Sequence, residues 1–217
     1  MNGLYTGFRA VLVTLCMLLI PSIALASDHV PHSELNAVAL HDGSLPVQNV
    51  QDRDNESPLF KVLAGLSILT TGMMAGIVFA YANSVMPGLR KSDDRTFVLA
   101  IRHLTSSVAN PLFLVISNGA LIAQIGFVVV AVSSQHFNQI LLGSIALTFY
   151  IATLLITFLG NLPLNKAIIS AELPTSATTW NELRIRFESR WTMLNNVRTM
   201  TCILSVSTLI LALLIQS

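Results

Sequence analysis

Apolar residues run in long blocks through the last three quarters of the chain, and the charges fall between them. There are 28 residues without a formal charge between Lys61 and Arg90, 63 between Arg102 and Lys166, and 19 after Arg198. A helix needs about 20 apolar residues to cross the hydrocarbon core of a bilayer. The longest block therefore holds two spans and a turn. The pattern predicts four membrane helices, at roughly 60–86, 112–134, 139–160 and 198–216. From Thr175 onward there is no Gly or Pro, and Thr179 and Glu182 have the spacing of a capping box. The fourth span is thus expected as the end of one helix from about 177 to 216, roughly 60 Å long. The expected fold is all-α: an integral membrane four-helix bundle whose last helix is long, with a cytoplasmic extension.

Composition agrees with the pattern. Hydrophobic residues make up 53% and charged residues 11% of the 217, whereas soluble domains carry roughly a quarter charged residues. The N-terminus reads differently from the four spans. Arg9 precedes the short apolar run AVLVTLCMLLIPSIALA, which is broken by Pro21 and closes on Ala24-Leu25-Ala26. Residues 1–26 have the form of a signal peptide, with an uncleaved N-terminal helix as the alternative. If cleavage removes Cys16, Cys202 remains without an intrachain disulfide partner. Residues 27–58 are acidic and lack periodicity, as expected of a flexible extracytoplasmic tether. His29, His32 and His41 lie there among carboxylates, but their spacing matches no closed metal site. Residues 59–217 form the transmembrane domain.

Charge asymmetry sets an expected orientation. The segments 87–111 and 162–198 carry nine of the twelve Lys and Arg residues. By the positive-inside rule they face the cytoplasm, which leaves the mature N- and C-termini outside. The protein is expected as a multi-pass protein, of the cytoplasmic membrane if bacterial.

Polar residues inside or beside the spans are the candidates for chemistry, because hydrocarbon penalises them unless they are paired or face a cavity. Gly72 and Gly76 are placed to let a neighbouring helix approach, and Asn118 and Gln124 to hydrogen-bond between helices. Pro87-Gly88 should end the first span. Pro163 should break the third span within Asn161-Leu162-Pro163-Leu164-Asn165, with the two carboxamides satisfying the broken backbone or facing a ligand. On the last helix, Trp180, Leu183, Phe187, Trp191 and Leu194 share one arc. Asn195 lies about 60° from Trp180, and Arg198 returns to the same direction. Arg184, Arg186 and Arg190 are expected to point elsewhere. A buried Arg198 needs partners: the acids in reach are Asp93, Asp94, Glu172, Glu182 and Glu188, and the amides are Asn161, Asn165 and Asn195. The alternative is an arginine snorkelling to headgroups.

These residues also carry a resemblance. G-x-M-A-G-x-x-F-A with V-M-P-x-L (72–89), N-P-L-F (110–113), N-L-P-L-N (161–165) and W…R-W-x-x-x-N-x-V-R-T (180–199) together resemble the anthrone oxygenase-like family of small four-helix membrane proteins. Ile101-Arg102-His103-Leu104-Thr105 and Leu194 depart from the family's usual pattern. The resemblance implies an oxygenase that converts anthrones to anthraquinones with dioxygen. In that reading His103 is the base, and Arg198 with Asn195, Asn161 and Asn165 holds the substrate anion. Phe187 and Trp191 stack on its rings.

No cofactor is expected. The sequence has no His in a predicted span, no H-E-x-x-H and no Gly-rich dinucleotide loop, so a bis-histidine haem, a zincin site and a nucleotide cofactor have no support. Two function classes remain. One is a metal-independent membrane oxygenase acting on a lipophilic aromatic small molecule. The other is a non-catalytic accessory or assembly subunit, whose Trp180–Arg190 helix and acidic tether contact a membrane protein partner. Apart from these the expected partner is the lipid bilayer, with no nucleic acid.

Overall fold

The computed structural model describes residues 58–108 and 110–215. The signal segment with Cys16, and the tether with its three histidines up to Ser57, lie outside the described residues. The described chain is helical, with no strand. Its elements are α1 (Pro58–Leu89), α2 (Asp94–Val108), α3 (Pro111–Ser133), α4 (Phe137–Ser170) and α5 (Ala177–Leu214). All but α2 are long and apolar enough to cross a membrane, so a helical membrane bundle is the architecture.

The four long helices close a ring: α1 and α4 each pack against both α3 and α5. At one end the core is Phe60, Ala64, Phe127, Ala131, Ala146, Leu209 and Ala212, with the Phe60 and Phe127 rings 4.8 Å apart. At the other it is Met86, Phe97, Val98, Ile101, Ile168, Phe187 and Trp191. A polar tie joins the four long helices. Gln124 Nε2 on α3 donates to Thr71 Oγ1 on α1 (2.8 Å) and to Ser205 Oγ on α5 (3.3 Å), and the Ser205 hydroxyl donates to the Ala146 carbonyl on α4 (2.8 Å). Gln124 thus binds helices together as its position suggests. Asn118 does not, since its amide donates to Leu114 O of its own helix.

The glycine expectation is corrected. A Cβ added at Gly72 or Gly76 would meet nothing within 4 Å, so neither brings helices of this bundle together. Close approach occurs at Gly143, where a Cβ would sit 2.7 Å from the Phe127 ring, and at Gly160, where it would sit 2.8 Å from Leu194. Those two positions must stay small for α3 to meet α4 and for α4 to meet α5.

The segment 87–111 is more ordered than a loop. Asp93 starts α2, accepting from Thr96 N–H (3.0 Å) and the Thr96 hydroxyl (2.6 Å). The hydroxyl and then the amide hold the Asp93 carboxyl below its ordinary pKa. One face of the helix then buries Phe97, Val98, Ile101 and Thr105, docking it on α5 and the end of α4. Arg102 fastens the other side, donating to Ile168 O (3.0 Å) and Ala171 O (2.6 Å) where α4 ends.

Neither proline stops its helix where expected. Tyr81–Val85 and Thr157–Asn161 are π-helical turns, closed by bonds from Met86 N–H to Tyr81 O and from Leu162 N–H to Thr157 O. Each turn is followed at once by X-Pro: Met86-Pro87 and Leu162-Pro163. In an unbroken α-helix the proline ring clashes with the carbonyl four residues back. The wider turn relieves this, so α1 continues to Leu89 and α4 to Ser170. At α5 the cap is Ser176, which accepts from Thr179 N–H, rather than a box begun at Thr179. The helix has 38 residues, as long as its composition suggested.

Candidate functional site

Phe187, Trp191, Asn195, Arg198 and Cys202 recur every three or four residues along α5 and are buried together, as a helix face turned to its neighbours requires. Arg198 is 9% exposed. Its Nη2 donates to Asn195 Oδ1 at 2.7 Å and its Nη1 to Thr157 Oγ1 at 3.3 Å. Its Nε is buried with no hydrogen-bond partner. Asn195 is held by its own amide, which donates to Val78 O of α1 at 3.1 Å, leaving Oδ1 to accept from the guanidinium. The Thr157 hydroxyl donates back to Thr153 O at 2.7 Å. Every partner of the cation is neutral.

Asp94 and Glu188 are committed elsewhere. Arg184 pairs with Asp94 at 3.0 Å and Glu188 at 2.6 Å, and Glu188 also takes Arg90 at 2.8 Å. No salt bridge among the described residues reaches Arg198. Arg184 corrects the expectation that it would point away from the packed face. It lies over the Phe97 ring, 4.6 Å from the centroid, and donates to Ser92 O and Arg90 O. Its role is to pin α2 and the end of α1 to α5.

Two helical turns from Arg198 the second half of the cluster forms. Trp191 Nε1 donates to Asn165 Oδ1 at 2.7 Å, and Asn161 Nδ2 donates to Trp191 O at 3.3 Å. Asn161 Oδ1 is buried and has no partner. Phe187 stacks on Trp191 at 5.7 Å, and the Tyr81 ring packs tilted against Trp191 at 5.6 Å. The structure therefore brings together Asn161, Asn165, Phe187, Trp191, Asn195 and Arg198. His103 stands apart: it is on the exposed part of α2, and no hydrogen bond joins its ring to the cluster.

Sequence reasoning missed Tyr81 and Thr157, the first residues of the two π turns. Both join the cluster, Thr157 by its hydrogen bond from Arg198 and Tyr81 by its ring contact with Trp191. A signal for them exists in the chain: each stands six residues before a proline inside an apolar helix, where a π turn absorbs the ring. π turns are rare and concentrate at functional positions.

An open groove lined by Arg90, Ile185, Glu188, Thr192, Met193 and Asn196 lies on the opposite face of α5. Among the described residues no three His, Cys, Asp or Glu side chains gather to hold a metal ion. Chemically, the cluster offers an anion a desolvated cation with one free donor, beside an aromatic wall. No curated protein and no solved structure matches the chain. The family model for anthrone oxygenase matches residues 103–208, from the middle of α2 through most of α5. That stretch contains every cluster residue on α4 and α5, and over it the chain is similar to the anthrone oxygenase family.

Proposed function

We propose that the protein is a membrane enzyme that oxidises a flat, lipophilic aromatic with dioxygen, and that Arg198 holds the substrate's oxyanion. The observation that carries this reading is the guanidinium itself. A charge buried among neutral partners, with a donor unspent, is costly to a bundle that could be apolar there. It is explicable if a ligand supplies the missing negative charge.

An anthrone-type substrate fits the chemistry. Loss of a proton from its methylene gives an anion delocalised onto the ring oxygen, and a fixed donor at that oxygen favours the ionised form. The electron-rich anion can then reduce dioxygen. Overall, the methylene becomes a carbonyl, one oxygen atom enters the product, the other leaves as water, and the substrate supplies the electrons. Arg198 Nε is placed to donate to the oxyanion, Asn195 and Thr157 fix the guanidinium plane, and Trp191 with Phe187 supplies a surface for the rings. The expected orientation puts this site near the cytoplasmic boundary, reached from the bilayer by a lipophilic substrate.

The test is anthrone oxidation by membranes carrying Arg198→Lys at matched protein levels. Lysine keeps the charge but loses the planar donor fork, so quinone formation should fall at least tenfold, a loss of roughly 1.4 kcal/mol of transition-state stabilisation. Unchanged turnover in a protein shown to be active would reject the pocket. No turnover by the unsubstituted protein would favour an accessory subunit instead.

A further inference from the structure

The two tyrosines of the described bundle use their hydroxyls differently. Tyr150 is fully buried and donates to Ser117 O at 2.8 Å, a bond from α4 to α3. Tyr81 is half-buried, and its hydroxyl bonds to no described group. Its ring is fixed nonetheless, packed 5.6 Å from Trp191. Its backbone carbonyl closes the first π turn. That turn and the second one stand on the two helices that flank α5; Thr157 bonds the guanidinium, and Tyr81 lies one turn beyond Val78, whose carbonyl takes the amide of Asn195, the guanidinium's other partner. Thr157 completes the guanidinium's hydrogen bonding on one side. The Tyr81 hydroxyl, on a ring packed against Trp191, is left unspent.

We propose that the Tyr81 phenol is the second hydrogen-bond donor to the ligand's oxyanion, so that the site selects lipophilic aromatics with an acidic hydroxyl or enol over the same rings without one. The inference rests on the reading of Arg198 as the anion's partner. A phenol and a guanidinium donating to one oxygen resemble an oxyanion hole built from side chains, and its donors gain strength where water is excluded. The Tyr81 and Trp191 rings meanwhile form a wall against which a planar ligand can lie. Tyr81 thereby determines specificity through one atom, its hydroxyl, which the fold itself does not need.

The experiment uses the full chain in detergent micelles and two probes, 4-nitro-1-naphthol as its coloured anion and 1-nitronaphthalene, which has no hydroxyl. The unsubstituted protein should bind both. Tyr81→Phe should weaken the naphtholate by roughly tenfold or more, as loss of a hydrogen bond to a charged group does. It should leave 1-nitronaphthalene within about twofold and the thermal midpoint unchanged. Tyr150→Phe should do the reverse, lowering the midpoint without altering either affinity. Equal affinity of Tyr81→Phe for the naphtholate would overturn the proposal. So would an equal loss for both probes, which would make the ring and not the hydroxyl responsible, or a fall in midpoint, which would make the hydroxyl structural. Arg198→Gln separates the two levels. If it too leaves naphtholate binding intact, or if the unsubstituted protein binds neither probe, the anion pocket itself falls and this inference with it.

Discussion

Replacing Arg198 by Met should not weaken the bundle and should abolish the proposed oxidation. Methionine fills most of the side-chain volume without the charge. Three effects set the sign. The change removes the cost of holding an ion away from water, which in proteins is several kcal/mol per ion even after relaxation. It also removes the hydrogen bonds to Asn195 and Thr157. The first, at 2.7 Å, contributes about 1.5–3 kcal/mol as a charge-assisted bond, and the second, at 3.3 Å, contributes less. Finally it strands Asn195 Oδ1, at a further cost of about 1–3 kcal/mol. Thr157 is not stranded, because its hydroxyl still donates to Thr153 O. The gain and the losses are each several kcal/mol and nearly cancel, so the thermal midpoint should stay within about 5 °C of that of the unsubstituted protein. The assay is thermal unfolding of the purified protein in detergent, with anthrone oxidation followed in parallel. A midpoint that drops by more than about 5 °C would show that the guanidinium holds the bundle together. The premise that it is kept for a ligand would then be refuted. A stable variant with undiminished turnover would refute the functional half.

Three further outcomes are expected. Trp191 is 3% exposed and bridges Asn165, Phe187 and Tyr81, so Trp191→Ala should cost about 3–5 kcal/mol in the same unfolding assay, and a near-neutral result would mean that α5 does not pack there. Cysteines introduced at the exposed Lys91 and Ser134 should report opposite sides of the membrane, Ser134→Cys alone reacting with an impermeant maleimide from outside; reaction of Lys91→Cys from outside would reverse the orientation. Because the Asp93 carboxyl is held below its ordinary value by Thr96, its support for the start of α2 is full above about pH 4 and is lost as pH falls through the lowered value; hydrogen exchange at the Thr96 amide should accelerate over that range, and Asp93→Asn, which caps without titrating, should abolish the dependence.

The four spans were legible because the hydrocarbon core imposes a length and a composition on any helix that crosses it. The direction of Arg198 was legible too, since eighteen residues make five whole turns and bring it back above Trp180. Other features depend on partners the sequence does not name. α2 is amphipathic through only four buried positions in a charged stretch, and its docking rests on Arg102 and Arg184, whose acceptors lie more than sixty residues away in the chain. Arg184 stands only about 40° from Trp180, so its phase already placed it near the packed face. What the phase did not show was that Asp94 and Glu188 would be there to receive it. The prolines were read by the rule for water-soluble helices, where they terminate. Inside a bundle a π turn re-satisfies the backbone and the helix goes on. Tyr81 escaped notice for the same reason: only the π turn gives its position meaning.

The strained features of this bundle gather at one level. Elsewhere the helices meet through close-packed rings, small residues, neutral hydrogen bonds and, beside α2, compensated ion pairs. Gln124 Oε1, Ser67 Oγ and Thr192 Oγ1 are also buried without partners, but these are neutral atoms, and the first belongs to a tie that already joins four helices. The level of Arg198 has no such excuse. Two π turns widen the helices on either side of it, an uncompensated cation occupies the space between, and Asn161 Oδ1 and Arg198 Nε remain unsatisfied. A sequence selected for stability alone would replace that arginine with an apolar residue and straighten both helices. Departures from local consistency that cluster at one place are expected at functional sites. Arg198, Asn161 and the second π turn lie inside the stretch that matches an oxygenase family, and Tyr81, whose hydroxyl has no partner among the described residues, packs on Trp191 of the same cluster; this favours a ligand with a negative oxygen over a merely structural role.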